Sequence, residues 1–300
     1  MRTLTQALGA IAVTVALAAA GPVPSSAAEP RIDPHGYWSE ERLRAAVPEQ
    51  HTRTGAVEDL AQEADEASRA ALGTVVTRTA TVGRLFFRTP TGDGSCTAAV
   101  VNSASKNLVI TAAHCVHPGG PGKAYYGNFL FAPGWSDGPS AHGYWSGTAA
   151  RASAEWTQSK KWDHDYAFVR LAASNGEQIV SRVGANALAA GTGHVVPNTR
   201  IWGYPARAPY TGQTAQHCEV TTTRENSYTP DARAACAFNQ GASGGPWLKD
   251  VQASGTGSVW AVTSRCESGP GVGDTCAGTA IYASPLPAAV FTLRDAVGSL

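Results

Sequence analysis

Ser243 lies in the stretch "NQGASGGPWL", residues 239–248, among three glycines, Gly241, Gly244 and Gly245. A serine hydroxyl is a weak nucleophile near neutral pH. It needs a general base within hydrogen-bond reach, and the base gains from a carboxylate that orients it. The string matches G-x-S-x-G, the strand–turn–helix nucleophile elbow, in which the acid and then the histidine follow the serine. Here the last histidine is His217, so none follows Ser243. Gly-Gly-Pro directly after Ala242 and Ser243 is also poor helix material. The order that remains is histidine, acid, serine. His114 in "LVITAAHCV" and Asp165 in "WDHDYAFVRL" supply it.

Both partners stand at the edges of apolar runs. His114 follows an apolar strand and precedes Cys115. Asp165 opens the run Tyr166, Ala167, Phe168, Val169, where a carboxylate is partly buried and little screened. Asp163 competes from two residues farther out. From about residue 75 the chain breaks into short runs rich in Val, Ile, Thr and aromatics, such as "TVGRLFF", "CTAAVV", "RIWGYP" and "VWAVTSRC". Gly/Pro-rich connections separate them. This pattern predicts an all-β barrel or sandwich. The last run, "PLPAAVFTLRDAVGSL", places Leu286, Val290, Leu293 and Val297 on one helical face.

"TAAHC", "DYAFV" and "GASGGP", in this order, resemble the trypsin-like (chymotrypsin-fold) serine peptidases, and within them the secreted bacterial trypsin-like and glutamyl-endopeptidase-like branch. The resemblance covers about residues 80–290. It implies two six-stranded antiparallel β-barrels, about 80–180 and 190–285, with the site between them and a C-terminal helix at about 286–298. It implies His114 as general base, Asp165 as its orienting acid and Ser243 as nucleophile. The backbone N–H groups of Gly241 and Ser243 would form the oxyanion hole. Such a turn demands backbone angles that glycine adopts most cheaply. The resemblance also implies a Cys96–Cys115 disulfide beside the histidine.

Two departures bear on activation and specificity. Ala242 stands where animal trypsins carry the aspartate that binds a newly freed N-terminus, so activation here cannot use that ion pair. Removal of a blocking pro-segment is the expected alternative. Ala237, six before the serine, and Phe238 offer no acid to attract Arg or Lys. Thr263 and Ser264 are expected near the substrate pocket, with Arg265 as a source of positive charge. Glutamate-specific relatives usually carry histidine at the position of Thr263, so an uncharged small or medium residue before the cleaved bond is expected instead.

The remaining features set the context. Residues 1–28 read as a signal peptide, with Arg2, the apolar run "ALGAIAVTVALAAA" and small residues at Ser26 and Ala28. That run is shorter than the roughly 20 residues a membrane span needs. A secreted protein, free of the membrane after signal removal, is expected. Residues 29–72 hold ten acidic and five basic residues and no cysteine. Ser39 can cap a helix over "EERLRAAV", and "GAVEDLAQEADEASRAAL" has a second helical face. Residues 29–75 therefore read as a propeptide ahead of a peptidase domain at 76–300. Six cysteines in an exported chain imply disulfides. Pairing of sequence neighbours would give Cys96–Cys115, Cys218–Cys236 and Cys266–Cys276. There is no C-x-x-C, and His114, Cys115 and His117 lack a second ligand cluster, so no metal or cofactor is expected. Zero formal net charge argues against a nucleic-acid partner. The expected partners are protein or peptide substrates, met by a monomer.

Overall fold

Alternation at period two builds the first half. In β3 (Val82–Thr89), Leu85 and Phe87 face one buried cluster while Val82 and Phe86 face another. Both faces of the strand are therefore covered, one by the barrel interior and one by the rest of the molecule. The computed structural model describes residues 36–53 and 79–300, apart from 137, 139, 227 and 269–275. All of them belong to one compact unit, Arg31–Leu300. The signal peptide and the second propeptide helix expected from the sequence lie outside the described residues.

The N-terminal part comprises α1 (Glu40–Ala45), β1 (Val47–Pro48) and β2 (Thr52–Arg53). Ser39 caps α1, its hydroxyl accepting the Arg42 N–H at 3.2 Å, as its sequence position predicts. Six strands then close a barrel: β3 (Val82–Thr89), β4 (Gly92–Val101), β5 (Leu108–Thr111), β6 (Gly127–Pro133), β7 (Trp145–Ala152) and β8 (Ala167–Leu171). Their order is β4-β3-β6-β7-β8-β5, and β5 pairs back to β4. Closure leaves the barrel without free edges inside the ring. α2 (Ala154–Ser159) precedes the Asp165 loop, and Ser153 caps it through the Trp156 N–H at 3.1 Å. α3 (Ile179–Val183) starts the crossing to the second half.

The second half differs from a single closed ring. One five-stranded sheet runs β11 (Gln216–Val220), β10 (Thr199–Gly203), β14 (Pro246–Lys249), β15 (Ser258–Val262) and β9 (Ala187–Leu188). The other runs β12 (Thr223–Arg224), β13 (Ala232–Ala235), β17 (Cys276–Ala283), β16 (Arg265–Ser268) and β2. The chain passes from one sheet to the other at Thr263 and Ser264, between β15 and β16. There the Thr263 N–H bonds Gly245 O (2.9 Å) and the Ser264 N–H bonds Tyr282 O (2.9 Å). A corner of this kind lets one strand serve two sheets around a shared core, here built on Ile201, Trp247, Trp260 and Ile281. The C-terminal helix α4 (Ala289–Gly298) packs Val290 and Val297 into the core that also holds Leu108 and Phe168. It begins three residues later than its periodicity suggests, because Leu286 is still extended, its N–H bonded to Trp260 O (2.8 Å). The three disulfides join sequence neighbours: Cys96–Cys115, Cys218–Cys236 and Cys266–Cys276.

Candidate active site

β5 ends at Thr111, and a single 3-10 turn, Ala113–Cys115, holds His114 with 2% of its surface exposed. Asp165, 5% exposed, ends the turn two residues before β8 and faces His114. The Asp165 Oδ2 lies 2.8 Å from His114 Nδ1, and Oδ1 accepts the His114 backbone N–H at 2.9 Å. The Ser264 hydroxyl donates to Oδ2 at 2.7 Å. Burial opposes ionisation of this carboxyl. The electrostatic effect of the adjacent His114 and these hydrogen bonds outweigh burial and hold its pKa below the ordinary range. A carboxylate so held fixes the histidine with its proton on Nδ1 and leaves Nε2 able to accept one. Asp163, the competitor, instead pairs with its neighbour His164 at 3.1 Å on the half-exposed side.

Ser243 sits on the turn between Asn239 and Gly245. Gly241 has φ +89°, and a Cβ there would stand 2.5 Å from Tyr204 O. Gly244 has φ +79°, and a Cβ there would meet Thr111 Oγ1 at 2.1 Å. Only glycine fits these two positions. Thr97, a residue that sequence reasoning does not single out, binds the turn to the first barrel. Its N–H donates to Ser243 O (2.8 Å), its hydroxyl donates to Gly241 O (2.8 Å), and the same hydroxyl accepts the Tyr204 N–H (3.0 Å). Ala242 is buried, 1% exposed, with no charge to offer.

The N-terminal strap runs through this site. β1 pairs parallel with β4 at Gly94 and Ser95, and β2 pairs parallel with β16 at Cys266 and Glu267. Between them the Gly241 N–H donates to Glu49 O at 2.9 Å, and the Ser243 Oγ lies 3.5 Å from the same oxygen. His114 Nε2 is buried and has no hydrogen-bond partner among the described residues. The His51 ring lies edge-on to His114 (4.6 Å between centroids) and against Trp162 (5.0 Å).

Burial, then the nearby His114, push the His51 pKa down to about 3; Lys160 and Arg265 add to this and Asp165 opposes it. Once the strap lifts, His51 regains the ordinary value of about 6.5 and takes up a proton that the docked ring refuses. Docking is therefore unaffected by this group above pH 6.5 and weakens as pH falls toward 3. Burial raises the Glu49 pKa, against the opposing effect of His114, so Glu49 acts in the opposite sense above its own ordinary value. In Glu49→Gln only the His51 effect remains. Protection of the residue 49 amide, bonded to Ser95 O, is then expected to fall about 30-fold between pH 7.5 and pH 5 in hydrogen exchange corrected for intrinsic rates.

A small cavity beside Ser243 is lined by Asn239, Gln240, Thr263, Arg265 and the Cys266–Cys276 bridge, and by Gln50 and His51 of the N-terminal segment. Of the pocket residues named from sequence, Thr263 and Arg265 line it. Ser264 instead holds Asp165, Phe238 packs against Tyr210 (6.0 Å), and Ala237 is not in the lining. Arg265 is engaged elsewhere: its Nη2 lies 2.5 Å from the buried Asp231, and its guanidinium lies over Trp162. Thr263 Oγ1 accepts the Trp247 indole N–H (2.9 Å).

Among the described residues, one cluster has metal-ligand types within reach of one another: Cys96, His114 and Cys115. Its two sulfurs are joined to each other and offer no thiolate, so the donor set does not fit a metal. No described helix is long and apolar enough to cross a membrane.

The trypsin-like peptidase domain family matches residues 96–254. A solved thermostable serine protease, AL20, from an extremophilic microorganism is 29% identical; the alignment covers 74% of this chain and 98% of that one, with a TM-score of 0.67. Protease Anisep from Arthrobacter nicotinovorans is 26% identical over 75% and 98%, also with a TM-score of 0.67. A Glu endopeptidase at 17% identity, TM-score 0.57, shares the fold. An extracellular metalloprotease of Bacillus subtilis (strain 168) is 34% identical over 84 residues, 28% of this chain. The chain thus spans about a quarter of the length of that curated relative. The closed six-stranded β-barrel agrees with these matches: the chain belongs to the trypsin-like peptidase domain family, the chymotrypsin-fold serine endopeptidases.

Proposed function

We propose that the chain is a secreted serine endopeptidase in which Ser243, His114 and Asp165 open peptide bonds through an acyl-enzyme. Ser243 Oγ attacks the carbonyl carbon and passes its proton to His114 Nε2. The carbonyl oxygen becomes an oxyanion held by the N–H groups of Gly241 and Ser243. His114 returns the proton to the leaving nitrogen as the carbon–nitrogen bond breaks. Water, losing a proton to the same Nε2, then opens the ester and restores the serine. One observation supports this most: a peptide carbonyl, that of Glu49, already accepts from the Gly241 N–H at 2.9 Å beside Ser243.

The pocket reading follows from its lining. Asn239, Gln240 and Thr263 are neutral, and the charge of Arg265 is matched by Asp231. A small or medium uncharged residue before the cleaved bond suits it better than Glu, Arg or Lys. The three disulfides and the apolar N-terminal run support export, and a monomer acting on protein chains is sufficient for the chemistry.

Profiling on a peptide library, with the strap separated from the body, tests this reading. Cleavage after neutral residues, blocked by a serine-directed fluorophosphonate, is the expected result. Ester turnover without peptide cleavage would sink the endopeptidase assignment. A strong preference for Glu would sink the pocket assignment alone.

A further inference from the structure

We infer that residues 36–53 are a two-part inhibitor of this site, an anchor (36–46) and a plug (47–53), that stays bound after the chain is cut between 53 and 79. Cutting and activation are then separate events. The inference rests on the catalytic reading above for what the plug blocks, and on independent contacts for how the anchor holds.

The plug occupies the groups that a substrate needs. Glu49 O takes the Gly241 N–H, and the Ser243 hydroxyl faces that oxygen and not the base. Attack on a carbonyl requires the hydroxyl proton to pass to His114 Nε2, and Nε2 has no partner among the described residues. Collapse of a tetrahedral intermediate requires Nε2 to reach the leaving nitrogen, and no amide N–H of the plug bonds it. The direction of the plug accounts for this. Its pairings on both sides of the cleft are parallel, with β4 before Glu49 and with β16 after it. Reversing a strand exchanges Cα and nitrogen on the two sides of each carbonyl carbon. A chain running the other way makes antiparallel pairs with the same edges, the stronger arrangement per residue. It would bring the leaving nitrogen to the side where the plug has Cα. The plug thus fills the hole without offering a bond to break.

The anchor lies outside the cleft, on the first barrel. Trp38, Leu43 and Ala46 are 2%, 3% and 4% exposed and share one core with Phe86 and Trp135. The Trp38 indole packs 5.8 Å from Phe86 and donates its N–H to Asn128 O (2.6 Å). Asp93 accepts the Tyr37 hydroxyl at 2.6 Å and pairs with Arg42 at 2.7 Å. None of these contacts depends on residues 54–78, so a cut there leaves them intact. A segment with a buried Trp and Leu and a paired charge holds on as a bound partner does.

The test places a recognition site for an unrelated protease within 54–78 of the full chain and cuts it at pH 7.5. Native mass spectrometry reads whether the N-terminal fragment stays, and fluorophosphonate labelling reads Ser243. The expected result is a retained, uncut fragment and labelling at least 10-fold slower than for the body after the fragment is separated. Trp38→Ala with Leu43→Ala should release the fragment and speed labelling to the rate of the separated body; Arg42→Ala, milder to the fold, should do so in part. Immediate loss of the wild-type fragment, fast labelling with the fragment retained, or scission at Glu49–Gln50 would each overturn the inference. If the separated body never labels, the catalytic reading fails, while fragment retention still decides the anchor.

Discussion

Asp165→Asn is expected to lower peptide turnover about 10⁴-fold, a barrier increase of about 5.5 kcal/mol, with the fold intact. The carboxylate accepts three hydrogen bonds, from the His114 backbone, from His114 Nδ1–H and from Ser264. An amide keeps one oxygen for them and turns an N–H₂ donor toward the rest. If that donor meets Nδ1, the imidazole must carry its proton on Nε2 and can no longer take one from Ser243. kcat on a peptide substrate, with an unfolding midpoint as control, reads the effect. Asp163→Asn should stay near wild type, since among the described residues Asp163 pairs with the partly exposed His164 and not with His114. A large loss in Asp163→Asn, with Asp165→Asn unaffected, would move the orienting role to Asp163.

Ser243→Ala is expected to remove turnover by about 10⁶-fold and to abolish fluorophosphonate labelling. The substitution deletes one oxygen whose hydrogen bonding among the described residues is a long contact to Glu49 O at 3.5 Å. The Gly241 N–H to Glu49 bond and both parallel pairings are backbone contacts and remain. Amide exchange in the strap should therefore match wild type. Residual proteolysis above the uncatalysed level, in a preparation free of contaminating protease, would point to a different nucleophile.

The residues of the candidate site were legible because each sits on a signature that local chemistry requires. Gly241 and Gly244 have positive φ in spaces that no Cβ can enter, and His114 and Asp165 stand at the ends of strands whose apolar runs are unmistakable. The barrel of the first half was legible from the same runs. Other features leave no local trace. Thr97 is one threonine in a strand, and its role depends on Gly241, 144 residues away. Arg265 reads as a free charge until Asp231, 34 residues earlier, is found against it. The strap was visible as an acidic segment with a capped helix. Its path through the cleft was not, because two strands of two residues each carry no periodicity. The division of the second half into two sheets turns on the corner at Thr263 and Ser264, where nothing in composition marks a bend.

The Cys96–Cys115 bridge has a mechanical consequence. Cys96 stands one residue before Thr97, which grips the Ser243 turn, and Cys115 stands one residue after His114. Ser243 and His114 thus share one frame, even though the serine comes from the other half of the molecule. The turn is also tied to the second half, where the Gly244 N–H donates to Thr263 O (2.7 Å) and Gln240 O accepts the Ala206 N–H (2.8 Å). One short turn is thus a rivet through both halves, and the spacing between Ser243 and His114 is set at the seam itself.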